Sequence, residues 1–516
     1  TEVETKNERK PINREQITVK ETPTKGVTMK PATPQTEQTP STEPQKSSFS
    51  EVPMPCGGFG DQTKNMKRIV ASVGLAALGA ASIQSSHAQA LGTEKPWSIS
   101  ASLRGFYDDN VNTVKTGKIN TFGVEISPTI SMRLPSADQT TAELIYTYAY
   151  KWYDKKPDPS RTGTSDQTHT VAARLMHAFN ERTSVSLSES FVIGQEPDQI
   201  RSGSQFASVQ RISGQNVRNF GAITVNHQFT PTFAGEVGYA NAFYDYEDNL
   251  KSSTSYGVSS NTVPAGTPLG IYPVGVNASR SGLLDRMEQT IHADARWTLQ
   301  ENTIVLVGYQ YMMGRYNANE PIGVIGGVNI ATNVVVTSGN RDYNAHYGYV
   351  GAEHSFRPDL FGSLRVGVRF NDNYASPGQE TGTSPYVNAS LRYMYAKDSN
   401  LEAGVSHDRN ANDAFSTQGG SITVDSESTS AYIAVNHRIF LDLYGNAMLT
   451  FQNSTFNGGQ FDGTSEQYYL ANVGLEYHIN QNFIASVSYH FDHLDASQTG
   501  RTYDRNRFYF GATVTY

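Results

Sequence analysis

Arg507-Phe508-Tyr509-Phe510-Gly511-Ala512-Thr513-Val514-Thr515-Tyr516 closes the chain. Its residues alternate without a break. Phe508, Phe510, Ala512, Val514 and Tyr516 share one face; Arg507, Tyr509, Gly511, Thr513 and Thr515 share the other. Period two is the side-chain repeat of a β-strand. The same pattern recurs upstream. Phe483, Ala485, Val487, Tyr489 and Phe491 oppose Ile484, Ser486, Ser488, His490 and Asp492, and Leu364, Val366, Val368 and Phe370 oppose Arg365, Gly367 and Arg369.

Strand starts fall near residues 97, 121, 141, 168, 183, 217, 232, 287, 302, 343, 361, 385, 400, 429, 441, 467, 482 and 507. An even strand number, here eighteen with sixteen as the competing count, is what a closed single-chain bacterial barrel needs. Short turns at Asn180-Glu181-Arg182, Thr230-Pro231-Thr232, Gln300-Glu301-Asn302, Pro358-Asp359, Asp398-Ser399-Asn400 and Asn480-Gln481-Asn482 alternate with long Gly/Ser/Thr/Asn-rich loops near 193–216, 246–285 and 317–341. This rhythm predicts an all-β, antiparallel up-and-down transmembrane barrel with short periplasmic turns, long extracellular loops and both termini of the barrel in the periplasm. Hydrocarbon offers no partner to an open sheet edge, so the strand at 97 must pair with the strand at 507.

Composition agrees. Of the 516 residues only 17% are charged and 37% apolar, whereas Gly has 44 copies and Tyr 29. A soluble domain of this length carries more of both classes. Barrel strands put apolar and aromatic residues into lipid and neutral polar ones into the lumen, which lowers mean hydropathy without arguing against membrane insertion. A net charge of -8 speaks against nucleic-acid binding. The single cysteine, Cys56, excludes a disulfide framework.

Met66-Lys67-Arg68, an apolar stretch from Ile69 to Ile83, and Ala88-Gln89-Ala90 read as the basic, apolar and cleavage regions of an export signal over 66–90. Residues 1–65, with eight prolines and almost no apolar periodicity, read as a disordered leader. The chain begins with Thr, so Met66 is the simplest start and the leader an over-extended one. The barrel then occupies 91–516.

The opening strand, Ile99-Ser-Ala-Ser-Leu103-Arg-Gly-Phe-Tyr107-Asp-Asp-Asn-Val111, resembles the start of outer-membrane β-barrel porins whose first strand ends in an aromatic-Asp-Asp-Asn-hydrophobic run. The local match covers about fifteen residues. The terminal Tyr516, with Phe508, Phe510 and Val514, is similar to the C-terminal signal read by the barrel-assembly machinery, although many relatives end in Phe. The resemblance implies a bacterial outer-membrane protein in contact with lipid and lipopolysaccharide, and defines no solute.

No phosphate loop, His-Glu-x-x-His zinc motif or dinucleotide fingerprint is present, so neither cofactor, metal site nor catalytic residue is expected. Trp97, Trp152 and Trp297 suit the interfacial girdles. Glu143, Lys151, His292, Asp294, Arg296, Arg365, Arg369, Arg392, Glu402, Arg438 and Glu476 take lumen-facing positions. They either brace the wall as a satisfied polar network or line a water-filled pore for small hydrophilic solutes. A loop such as 246–285, with its apolar Ile271-Tyr-Pro-Val-Gly-Val276 run, would fold inward to narrow the opening. Asp108-Asp109-Asn110 and Asp245 with Glu247, Asp248 and Asn249 are read as solvated strand caps, or alternatively as rim sites for divalent ions bridging lipopolysaccharide. His407-Asp408 and Asp492-His493 are adjacent in sequence, which on a strand points the partners in opposite directions and argues against a hydrolase. A structural or adhesive barrel without transport is the other reading. A homo-oligomer is an expectation by analogy with general porins only.

Overall fold

In the computed structural model the described residues are 95–137, 139–157, 163–195, 216–246, 281–317, 319–325, 334–378, 381–418, 420–498 and 500–516. The proposed leader, the export signal, residues 247–249 and the apolar run at 271–276 lie outside them.

Eighteen strands form one closed antiparallel sheet. In chain order they are β1 (Trp97–Asp108), β2 (Thr121–Ala137), β3 (Thr140–Tyr153), β4 (Ser165–Asn180), β5 (Thr183–Gly194), β6 (Asn216–Thr230), β7 (Phe233–Tyr246), β8 (Arg286–Gln300) and β9 (Thr303–Tyr316). After a short hairpin, β10 (Pro321–Ile325) and β11 (Val334–Thr337), the wall resumes with β12 (Tyr343–Arg357), β13 (Leu360–Asp372), β14 (Thr381–Ala396) and β15 (Ser399–Asn410). A second small hairpin, β16 (Thr417–Gln418) and β17 (Ser421–Ile422), precedes β18 (Asp425–Phe440), β19 (Leu443–Asn457), β20 (Ser465–His478), β21 (Phe483–Ala496) and β22 (Tyr503–Thr515). Every wall strand pairs with its sequence neighbours, and β1 pairs with both β2 and β22, from Ser100↔Thr515 to Asp108↔Arg507. Backbone bonds between Ile99 and Tyr516, 3.1 and 2.8 Å, complete the closure.

The direction of the side chains decides the environment. Phe510 is 67% exposed and Val514 41%, whereas Tyr509 and Thr513, each one position before them, are buried. A continuous outer surface of this kind has its solvent in lipid, not water. Trp97 and Trp297 lie outward near the short-turn end, and Trp152 outward near the opposite end.

The short turns close on local chemistry. Asn180 Oδ1 accepts the Arg182 N–H at 2.9 Å, and Asn480 Oδ1 accepts those of Asn482 and Phe483, each at 2.9 Å. An Asx side chain thereby substitutes for ladder bonds at the reversal. Inside, bulky residues lie flat against glycine. A Cβ on Gly308 would stand 2.3 Å from the Tyr349 ring, and one on Gly367 2.1 Å from the Gly348 carbonyl oxygen.

The long connections build inward at the other end. Leu283, Leu284, Ile322, Val336, Ile422 and Val424 pack on Tyr244 and Tyr246 of β7. Arg341, fully buried, ties three connections together by donating to the carbonyl oxygens of Leu283 (3.0 Å), Asn412 (2.9 Å) and Val424 (3.1 Å). A buried guanidinium needs such a set of acceptors to offset its lost hydration.

Candidate functional site

The inner wall carries the charge. On β8 the inward positions hold His292, Asp294 and Arg296, and each meets a partner on a neighbouring or next-nearest strand. Arg296 donates to Glu353 at 2.7 Å and stands 3.6 Å from Glu236, while His292 Nε2 lies 3.4 Å from Glu236. Asp294 accepts from the Tyr349 hydroxyl at 2.6 Å and from Arg365 at 3.3 Å. Arg369 reaches Asp408 at 2.9 Å and lies over the rings of Tyr343 and Tyr347. Opposite charges at matched depth compensate one another along the wall, although Glu236 Oε2, Arg296 Nη1 and Arg369 Nε make no hydrogen bond among the described residues.

The remaining positions singled out from the sequence divide by depth. Glu143 pairs with Arg133 at 3.0 Å. Lys151 lies 4.9 Å from the centre of the Phe106 ring and 5.8 Å from that of Tyr509. Glu402 accepts from the Tyr432 hydroxyl at 2.8 Å, across the strand from Arg392, which is exposed. Glu476 stands opposite Tyr444 and Ser486. Arg438 does something different. Its guanidinium donates to the Leu441 carbonyl oxygen at 2.7 Å and to Asp398 at 3.0 Å, joining two periplasmic turns.

Reading parity alone missed the partners. Glu236, Glu353 and the Arg104–Glu125 pair share the inner face with the residues above, and cross-strand register was the signal that would have found them. Register also corrects the reading of Asp108-Asp109-Asn110 as solvated caps or a rim cation site. Asp108 is 1% exposed and Asn110 0%. Asp108 accepts from Arg505, Asp109 from the backbone and side-chain N–H groups of Asn506 (2.7 Å each), and Asn110 donates to the Asp504 carbonyl oxygen at 2.7 Å. The run is a latch on the seam between first and last strands, with Asp108 and Asn110 buried in it and Asp109 half-exposed. Among the described residues no group of His, Cys, Asp and Glu could hold a metal ion. His407 points outward to Glu427 at 2.8 Å while Asp408 points inward to Arg369, and His493 likewise faces away from Asp492, which pairs with Arg507 at 2.6 Å.

Exposure of the inward side chains changes along the axis. Toward the periplasm Arg133 and Arg392 are exposed, while Ser98, Ile484 and Thr513 at similar depth are buried. Toward the outside Phe106, Tyr153, Gln452, Phe456, Leu494 and Tyr503 are each 2% exposed or less. The outer end is packed, and at the periplasmic end exposed and buried inward side chains alternate around the wall.

The family model described as "Putative beta-barrel porin 2" matches residues 329–516. With its apolar face outward and its two edges joined, the barrel is a bacterial outer-membrane protein. Among curated proteins, none matches this chain in sequence. Solved structures similar to it include OccAB4 of Acinetobacter baumannii, at 12% identity over 83% of this chain and 100% of that one, TM-score 0.36. Pseudomonas aeruginosa OccK1 (OpdK) is similar at 11% identity over 81% and 99%, TM-score 0.37. The siderophore receptor PiuA of A. baumannii is similar at 10% identity over 82% of each chain, TM-score 0.39. Similarity at this level carries no functional information.

Proposed function

We propose that the barrel is a passive diffusion channel for small hydrophilic solutes, of the porin family whose model matches residues 329–516. The observation that carries this reading is the pair of exposed inward arginines, Arg133 and Arg392, at the periplasmic end of the wall. Eighteen strands enclose more space than side chains alone fill, and charge on a wet wall biases which solutes enter. In this reading Glu143, Lys151, Arg392, Glu402 and Glu476 line the pore. His292, Asp294, Arg296, Arg365 and Arg369 brace its wall, and Arg438 braces the turns. Trp97, Trp152 and Trp297 anchor the interfaces, and Phe508, Phe510, Val514 and Tyr516 present the assembly signal.

The packed outer end favours a second reading, a structural or adhesive barrel without transport. Reconstitution in planar bilayers separates the two. A channel gives stable stepwise conductance. A folded barrel that stays silent overturns the channel reading and leaves the structural one.

A further inference from the structure

On β5 the outward positions run Leu187, Glu189, Phe191, so a carboxylate stands between two side chains that face lipid. Glu189 is six residues above the periplasmic turn. At a strand rise of about 3.3 Å and a tilt of about 40° this is roughly 15 Å, well inside an apolar band about 25 Å tall. At the same height on other ascending strands the outward residues are Tyr239, Tyr309, Val366, Leu449 and Tyr489, none of them ionisable in the physiological range and all exposed or half-exposed.

The carboxylate is not isolated. Asn219 Nδ2 donates to Glu189 Oε1. Gly221 forms the floor, since a Cβ there would meet Glu189 Oε2 at 2.7 Å and Asn241 Oδ1 at 3.6 Å. Three polar groups on β5, β6 and β7 therefore converge over a glycine, facing outward. Among the described residues only Asn219 donates to Glu189, and the Asn241 carboxamide has no hydrogen bond. Acyl chains offer neither donors nor acceptors, and lipid headgroups lie beyond reach at this depth.

We propose that the outer face of β5–β7 around Glu189 is the contact surface for a second copy of this chain. The patch occupies one flank rather than a ring, as a lateral protein contact does and a headgroup girdle does not. Its chemistry is self-complementary: two carboxamides supply both donors and acceptors, the carboxylate supplies acceptors, and a symmetric contact brings each to the other. Ala173, paired with Glu189 across β4, and Gly221 leave the surface shallow enough for close approach. This goes beyond the channel reading and does not depend on it.

The test uses the full chain in native outer membranes, with Cys56→Ser as background. Ala173→Cys sits on the patch; Leu449→Cys sits on the far side of the barrel, outward on β19. Oxidation should give a disulfide-linked dimer of the chain for Ala173→Cys and none for Leu449→Cys. In mild detergent the wild type should sediment as an oligomer, and Glu189→Leu with Asn241→Leu should release a monomer that keeps the heat-modifiable gel mobility of a folded barrel. Because both substitutions suit lipid, loss of folding is not expected. Monomeric wild type, equal cross-linking at both faces, cross-linking of Ala173→Cys to a different protein, or an oligomer that survives the double substitution would each overturn the proposal.

Discussion

Asp108 on the first strand and Arg505 on the last are joined by a buried, forked ion pair, with Arg505 Nε 3.1 and 3.0 Å from the two carboxylate oxygens. They are 397 residues apart, and their strands meet only because the sheet closes. Asp109 and Asn110 add bonds to Asn506 and Asp504 on the same seam. The latch lies at the outer end and the Ile99–Tyr516 backbone bonds at the periplasmic end, so the seam is fastened at both ends.

Removing one partner of a buried pair leaves the other charge uncompensated, at about 3–5 kcal/mol. Arg505→Ala should lower stability by that order in vesicle urea titrations. Asp108→Asn combined with Arg505→Gln should cost less than the single change, because no net charge is stranded.

Gly367→Ala should impair folding, since the new Cβ meets the Gly348 carbonyl oxygen at 2.1 Å and Tyr349 at 2.6 Å. Backbone cannot give way as a side-chain tip can. Gly348→Ala points into open space on the outer face and should leave the refolding yield unchanged. The fraction of protein showing folded gel mobility compares the two.

Adjacent positions on β21 should behave oppositely. Val487→Arg places a cation on the lipid face, 51% exposed now, and should cost about 2–4 kcal/mol if near the midplane. Ser486→Arg faces the lumen opposite Glu476 and should be tolerated. Denaturant titration in vesicles reads both.

Arg133→Glu and Arg392→Glu reverse charges that are exposed at the periplasmic end of the wall. In the channel reading they should shift the reversal potential under a salt gradient toward cation preference, while Arg369→Gln, whose native side chain is 2% exposed, should change stability more than selectivity.

Much of this architecture was readable from residue order. All eighteen wall strands begin within a few residues of the expected starts, because a strand half in lipid must alternate and each hairpin must turn. The competing count of sixteen failed at β5 and β6, which are full strands (Thr183–Gly194 and Asn216–Thr230) separated by a long connection. The inner face was legible as a parity, and its pairing was not. Asp294 finds Tyr349 and Arg365 through a register that depends on every hairpin between them. Asp108-Asp109-Asn110 looked like a solvated cap because its partners lie at the opposite end of the chain. Glu189 was passed over for a related reason: parity puts it outward, but its depth follows only once the turns are aligned.

The most direct test is thiol accessibility along the lower half of β2 in closed vesicles, one cysteine at a time on the Cys56→Ser background. Ser127, Thr129, Ser131 and Arg133 face the lumen; Ile126, Ile130, Met132 and Leu134 face out. A small water-soluble maleimide should modify the first set and spare the second, giving a period of two. Uniform protection would mean a dry lumen, and labelling of the second set in place of the first would mean the sheet faces the wrong way for a membrane.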